Sequence, residues 1–135
     1  MMVKNKNHIF VIFGASGDLT KRKLVPALYS LYVQKLLPDK FVLLGVSRSP
    51  FTEEAFRDKM AQAIHEFGEN VDAVLIGRFI EKIFFSSMPI DNAAAYPLLQ
   101  KRLEELRDRF DIEGNNLFYL STPPVLYGTI PRLLA

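Results

Sequence analysis

Short apolar runs recur along the chain and alternate with stretches of helical periodicity. The runs are IFVIF at 9–13, FVLLGVS at 41–47, IFFSS at 83–87 and LFYLS at 117–121. A continuous apolar run is typical of a strand buried on both faces, as in a parallel sheet. Strands that alternate with helices form right-handed βαβ units. The pattern predicts an α/β fold: a Rossmann-like doubly wound parallel sheet, incomplete, with about four strands and covering helices.

The segments between these runs carry helix signals. Pro26 interrupts the first helical pattern, and we expect it near the start of the main helix or at a kink. Thr52 has the position of an N-cap for the second helix. Residues 71–82 predict a shorter helix, and the clearest helical pattern runs from about Asp91 or Tyr96 to Phe110. Helices therefore separate the predicted strands throughout.

The turn after the first run, GASG, is a candidate phosphate-binding turn. Gly14 and Gly17 flank Ala15 and Ser16 where the first strand gives way to a helix. Such a turn lets the backbone approach a pyrophosphate, and the helix N-terminus supplies N–H donors and partial positive charge. The spacing is G-x-x-G, with Thr20 where a third glycine is expected, so the glycines alone indicate a dinucleotide site only weakly. A Walker A loop is excluded, because no Gly-Lys-Ser/Thr follows.

Two polar residues of this turn have more than one interpretation. Ser16 can cap the helix or donate a hydrogen bond to a phosphate. Asp18 is unexpected beside a phosphate, and on its own it predicts an N-cap that accepts backbone N–H bonds. Both interpretations stay open from the sequence.

The end of the second strand carries the next diagnostic position. NAD-binding sheets usually place Asp or Glu there for the ribose 2′-hydroxyl, whereas arginine accommodates a 2′-phosphate. Here the residues are Ser47, Arg48 and Ser49. A guanidinium can bind a phosphate through two parallel hydrogen bonds, although an exposed loop arginine is the alternative. Together with the glycine turn, Arg48 favours NADP as the coenzyme.

Composition excludes several classes of site. The chain has 135 residues, enough for one domain, and a net charge of +2, far from the basic face of a nucleic-acid-binding protein. It has no cysteine, and His8 and His65 cannot form a zinc site by themselves. No stretch is typical of a signal peptide or a membrane span. We therefore expect a cytoplasmic protein without metal, nucleic-acid or membrane partners.

The stretch HIFVIFGASGDLTKRKLVPALY closely resembles the start of the glucose-6-phosphate dehydrogenase family, whose coenzyme turn is GASGDL followed by a basic triplet. The similarity continues through GVSRS, FFSSMPIDNAAAY and LFYLSTPPVLYGTIP, from His8 to the end. It implies that residues 1–135 are the N-terminal part of an NADP-binding Rossmann-like domain, with the C-terminal substrate domain absent from this chain. The family reaction transfers a hydride from glucose 6-phosphate to NADP, at the entry to the pentose phosphate pathway. The resemblance also implies a homo-oligomeric parent enzyme.

The resemblance assigns site roles by matching positions. Arg48 matches an arginine on the adenosine 2′-phosphate, and Tyr127 matches a tyrosine of the coenzyme pocket. Lys23 matches a lysine near the meeting point of coenzyme and sugar phosphate, from which it could help to bind either anion. Lys21 and Arg22 are expected in a solvated basic turn. The coenzyme loop is formed by Gly14, Ala15, Ser16, Gly17, Asp18 and Leu19.

No catalytic residue is expected in this chain. The family's catalytic histidine lies in an R-I-D-H-Y-like segment that this sequence lacks, and His8 and His65 are both expected to be structural. We therefore expect the chain alone to be inactive. The alternatives are a non-catalytic nucleotide-binding module or truncated paralogue, and an unrelated NADP-dependent reductase, which the Asp18-Leu19 pair and the basic triplet disfavour. A sheet of this kind normally has more strands, so we also expect an uncovered edge and self-association.

Overall fold

The computed structural model describes residues 8–37, 40–69, 71–89, 92–112 and 116–120. The strands are β1 (His8–Phe13), β2 (Phe41–Ser47), β3 (Ile83–Ser87) and β4 (Asn116–Leu120). The helices are α1 (Val25–Val33), α2 (Glu53–Phe67), α3 (Ala73–Ile80) and α4 (Tyr96–Phe110). A π-helical turn, Thr20–Leu24, precedes α1, and a 3-10 turn, Ala93–Ala95, precedes α4.

The strands form one parallel sheet in the order β3-β2-β1-β4. Phe13 lies opposite Val46 of β2 and Leu120 of β4, and Ser47 lies opposite Ser87 of β3. The carboxyl ends of all the described strands therefore meet at one end of the sheet. This is the end at which α/β sheets bind ligands, and β1 lies between β2 and β4 there.

Alternate residues of the central strands face opposite sides of the sheet, and helices cover both sides. On one side, Leu99 and Leu103 of α4 pack in a core with Val11 of β1. On the other side, α1, α2 and α3 contribute to a second core that contains Ile12 of β1 and Phe79 of α3. All five side chains are at most 2% exposed. The prediction of a doubly wound parallel sheet is confirmed.

The helix ends follow the local signals. The Thr52 hydroxyl caps α2 by accepting the Ala55 N–H at 3.0 Å. Pro26 lies in the first turn of α1, and the π-helical turn comes before it instead of a kink within the helix. An N–H is not required at that position, so proline is tolerated there. The helix expected over 71–82 is Ala73–Ile80, capped by Asp72, whose carboxylate accepts two backbone N–H bonds.

Tyr127, which the resemblance assigns to the coenzyme pocket, lies outside the described residues. In the described part of the chain, no helix is long and apolar enough to cross a membrane.

Candidate functional site

The glycine turn is fastened to the neighbouring strand. The N–H groups of Gly14 and Ala15 both donate to the Val46 carbonyl, at 2.8 and 3.2 Å, and the Gly17 N–H donates back to the Gly14 carbonyl at 2.9 Å. Gly14 has φ 78°, a left-handed conformation that strongly favours glycine. The turn is therefore a fixed loop at the carboxyl end of β1.

Ala15 is packed against Gly45 of β2, a glycine to which the sequence prediction gave no role. A Cβ added to Gly45 would lie 2.9 Å from the Ala15 Cβ and 2.7 Å from the Phe56 ring. Gly45 therefore lets the turn and α2 approach β2 together. A signal was present, because glycine inside a strand often marks a close approach of this kind.

The chain enters helical backbone directly after the turn. Leu19 has φ −59° and ψ −41°, and no side chain of the described residues caps the π-helical turn that follows. Asp18 Oδ1 instead accepts from Arg22 Nε at 3.1 Å, and Asp18 Oδ2 lies 2.9 Å from the same nitrogen. The N-cap expected at Asp18 was therefore wrong. N–H groups at such a helix start are the usual donors to a bound anion.

A hydroxyl pair joins this turn to the loop that carries Arg48. Ser49 Oγ donates to Ser16 Oγ at 3.0 Å, so Ser16 is part of a bridge between β1 and β2. The Ser49 N–H donates to Ser47 Oγ at 3.2 Å, and Ser87 Oγ donates to the Arg48 carbonyl at 3.4 Å. The two diagnostic motifs of the sequence are thus brought together, and the Arg48 side chain is exposed beside them.

The basic triplet lines two open grooves, and Arg22 contributes to both. Lys23 is exposed and lines a groove of about 220 Å³ with Pro26, Phe67 and neighbouring residues. Lys21 and Arg22 line another, of about 250 Å³, which is formed with the outer face of α2. Arg22 is exposed, as expected, but it is paired with Asp18 and its guanidinium lies 5.1 Å from the centre of the Phe67 ring.

Neither histidine belongs to the turn. His65 is exposed in the last turn of α2, and His8 lies at the amino end of β1, where its ring stacks 5.9 Å from Phe10. Within the described ranges, no cluster of three or more histidine or acidic residues could hold a metal ion. The turn and the neighbouring loop offer backbone N–H groups and a guanidinium, which are the groups that bind an anionic ligand.

Comparison with known proteins identifies relatives of this chain. The family described as "Glucose-6-phosphate dehydrogenase, NAD binding domain" matches residues 11–135. The glucose-6-phosphate 1-dehydrogenase of Aggregatibacter actinomycetemcomitans is 44% identical over 98% of this chain, and that of Leuconostoc mesenteroides is 34% identical over 98%.

Solved structures give the same result. A glucose-6-phosphate dehydrogenase in complex with its substrate glucose-6-phosphate superposes with a TM-score of 0.86 at 30% identity, over 96% of this chain. The Mycobacterium avium glucose-6-phosphate 1-dehydrogenase gives 0.78 at 26% identity, again over 96%. This chain covers 27% of each solved chain, and 26% and 27% of the two curated relatives. It therefore spans about a quarter of their length.

Proposed function

Because the chain belongs to the glucose-6-phosphate dehydrogenase family, we propose that it is the N-terminal coenzyme-binding part of such an enzyme and that its coenzyme is NADP. The observation that carries this proposal is the hydrogen bond between Ser16 and Ser49. It joins the turn suited to the pyrophosphate to the loop suited to the 2′-phosphate. One ligand that carries both groups can therefore span the two.

The turn fits a pyrophosphate. Gly14 has the positive φ that a close turn requires, and the helix start beyond Gly17 is not capped by a described side chain. The N–H groups of Gly14, Ala15 and Gly17 are already bonded within the fold. The backbone N–H groups of Ser16, Asp18 and Leu19 would therefore hold the phosphates, together with the partial positive charge of the helix start. Ala15 is fully buried against Gly45, so its side chain would set the distance between the turn and β2.

The end of β2 fits a 2′-phosphate. The residue after β2 is Arg48, not an acid, and its exposed guanidinium can donate two hydrogen bonds to a phosphate. Ser49 is partly exposed and adds a hydroxyl at the same loop. An acidic residue there would repel a 2′-phosphate, so this composition supports NADP over NAD.

The rest of the enzyme would complete the reaction. Bound NADP would supply the hydride acceptor for the family reaction at C1 of glucose 6-phosphate. In this chain Tyr127 would line the coenzyme pocket and Lys23 would assist in holding the sugar phosphate. We further propose a homo-oligomeric cytoplasmic parent enzyme with its substrate domain after residue 135. The chain alone would then bind coenzyme without turnover, because a positioned general base usually contributes about 10²–10⁴-fold to rate.

Calorimetric titration of the 135-residue chain with NADP and with NAD tests this proposal. We expect saturable NADP binding that is tighter than NAD binding. Equal affinities would overturn the NADP assignment, and no binding of either coenzyme would overturn the coenzyme-binding role. A parallel assay with glucose 6-phosphate and NADP should show no NADPH formation above the buffer rate. Turnover by the chain would overturn the expected inactivity.

A further inference from the structure

The proposed phosphate turn carries one acidic side chain, that of Asp18. The Asp18 side chain is 74% exposed, one residue beyond Gly17 and at the start of the helical backbone. A carboxylate without a counter-charge there would repel an incoming phosphate. Its partner is therefore part of how the turn is able to bind an anion.

Arg22 is that partner, and three features fix its position. Its Nε donates to Asp18 Oδ1 at 3.1 Å and lies 2.9 Å from Asp18 Oδ2. Its guanidinium lies 5.1 Å from the centre of the Phe67 ring. Phe67 is the last residue of α2, where the helix dipole favours a cation. Arg22 therefore joins the start of one helical segment to the end of another.

The neighbouring cations do not share this arrangement. In the described part of the chain, Asp18 pairs with Arg22, and neither Lys21 nor Lys23 forms a salt bridge or a contact with an aromatic ring. The planar guanidinium can contact a carboxylate at its edge and a ring at its face at once, which an ammonium group cannot do.

We propose that Arg22 is a positioning residue for coenzyme binding. It cancels the charge of Asp18 at the phosphate turn and holds the Asp18–Leu24 segment against α2 through Phe67. This inference rests on the proposed function, because the charge matters only if the turn binds an anion. An Arg22 variant should therefore bind NADP more weakly because the Asp18 carboxylate is left without its counter-charge.

A double-mutant series tests the claim. Arg22→Met should weaken NADP binding by about fivefold at low salt, the size expected for one screened surface charge. Adding Asp18→Asn to Arg22→Met should restore affinity to within about twofold of the wild type, because it removes the carboxylate that repels the phosphate. Lys59→Met is the matched control, since Lys59 lines the same groove but pairs with the Phe51 ring. Its NADP affinity should stay within about twofold of the wild type.

Hydrogen exchange of the chain without ligand provides an independent measurement. Arg22→Met should accelerate exchange of the amides of residues 18–24, whereas Lys59→Met should leave them unchanged. An Arg22→Met chain that binds NADP as well as the wild type, or a double variant as weak as Arg22→Met, overturns the charge-cancelling role. Unchanged exchange overturns the positioning role. If the wild-type chain does not bind NADP, the proposed function fails, and the exchange result alone decides whether Arg22 holds the segment.

Discussion

Glu53 of α2 and Arg102 of α4 form an ion pair across the outer edge of β3, although their helices cover opposite faces of the sheet. The same Glu53 oxygen accepts the Phe85 N–H at 3.3 Å, and Arg57 Nε donates to the Ile83 carbonyl at 2.6 Å. Side chains therefore satisfy backbone groups that an edge strand would otherwise leave open. The uncovered edge that the sequence suggested is thus partly covered at β3, at the Phe85 N–H and the Ile83 carbonyl.

Glu53→Ala should destabilise the chain by about 1–3 kcal/mol, because it leaves the Phe85 N–H and a half-buried Arg102 without their acceptor. Urea unfolding measures the change. Glu54→Ala is the matched control, since Glu54 is exposed in the same first turn of α2. Sedimentation should also show more self-association for Glu53→Ala than for Glu54→Ala, because the edge of β3 becomes available for pairing. Equal stability and equal association of the two variants would contradict the role of Glu53 at the edge.

Gly45→Ala should destabilise the fold by about 1–3 kcal/mol, the usual cost of overpacking. The added Cβ would lie 2.7 Å from the Phe56 ring and 2.9 Å from the Ala15 Cβ. Gly77→Ala is the contrasting control, because a Cβ at Gly77 in α3 meets nothing within 4 Å. That substitution should stabilise by about 0.5–1 kcal/mol through the helix preference of alanine over glycine. Chemical unfolding that ranks the two variants in the opposite order would contradict the packing argument.

Arg48→Ala should weaken NADP binding far more than NAD binding. Loss of a hydrogen bond to a charged group costs about 1.5–3 kcal/mol, which is roughly 10- to 150-fold in affinity. Arg78→Ala is the control, because it removes the same charge from an exposed position at the end of α3. Calorimetry with both coenzymes separates the outcomes. An equal loss for NADP and NAD would assign Arg48 to general attraction of anions and not to the 2′-phosphate.

Local pattern was sufficient for most of the architecture. The run at 41–47 corresponds to β2 residue for residue, and Thr52 caps α2 as its position indicated. Both features depend on neighbours within a few residues. The bounds of the strands and the main helices were therefore accessible from the sequence.

Contacts between residues that are far apart in the sequence could not be predicted from local pattern. The role of Gly45 follows from Ala15 and Phe56, thirty and eleven residues away, and the hydroxyl of Ser49 meets Ser16 only when β1 and β2 pair. Asp18 illustrates the same limit at short range. Its position predicts a cap, but an arginine four residues later holds the carboxylate instead.

The contact between Lys40 and Asp111 predicts a pH-dependent contribution to stability. Lys40 Nζ lies 2.6 Å from an Asp111 oxygen, which connects the residue before β2 to the residue after α4. The hydrogen bond from Lys40, and then its charge, lower the pKa of the Asp111 carboxyl below its ordinary value of 3.8. A carboxyl whose pKa is lower in the folded state stabilises the fold above its unfolded pKa, and this contribution disappears as the pH falls through the lowered value.

Asp111→Asn should therefore reduce stability slightly at neutral pH and make no difference in strong acid, below the lowered pKa. Asparagine is the appropriate replacement, because Asp111 has φ 54° and asparagine tolerates this left-handed conformation. The effect at neutral pH should shrink in high salt, since both side chains are exposed. Asp108→Asn, an exposed substitution on α4, is the control for the change in net charge. Urea unfolding of the three chains at neutral and acid pH measures this. A difference between wild type and Asp111→Asn that persists unchanged into strong acid would contradict the ion-pair explanation.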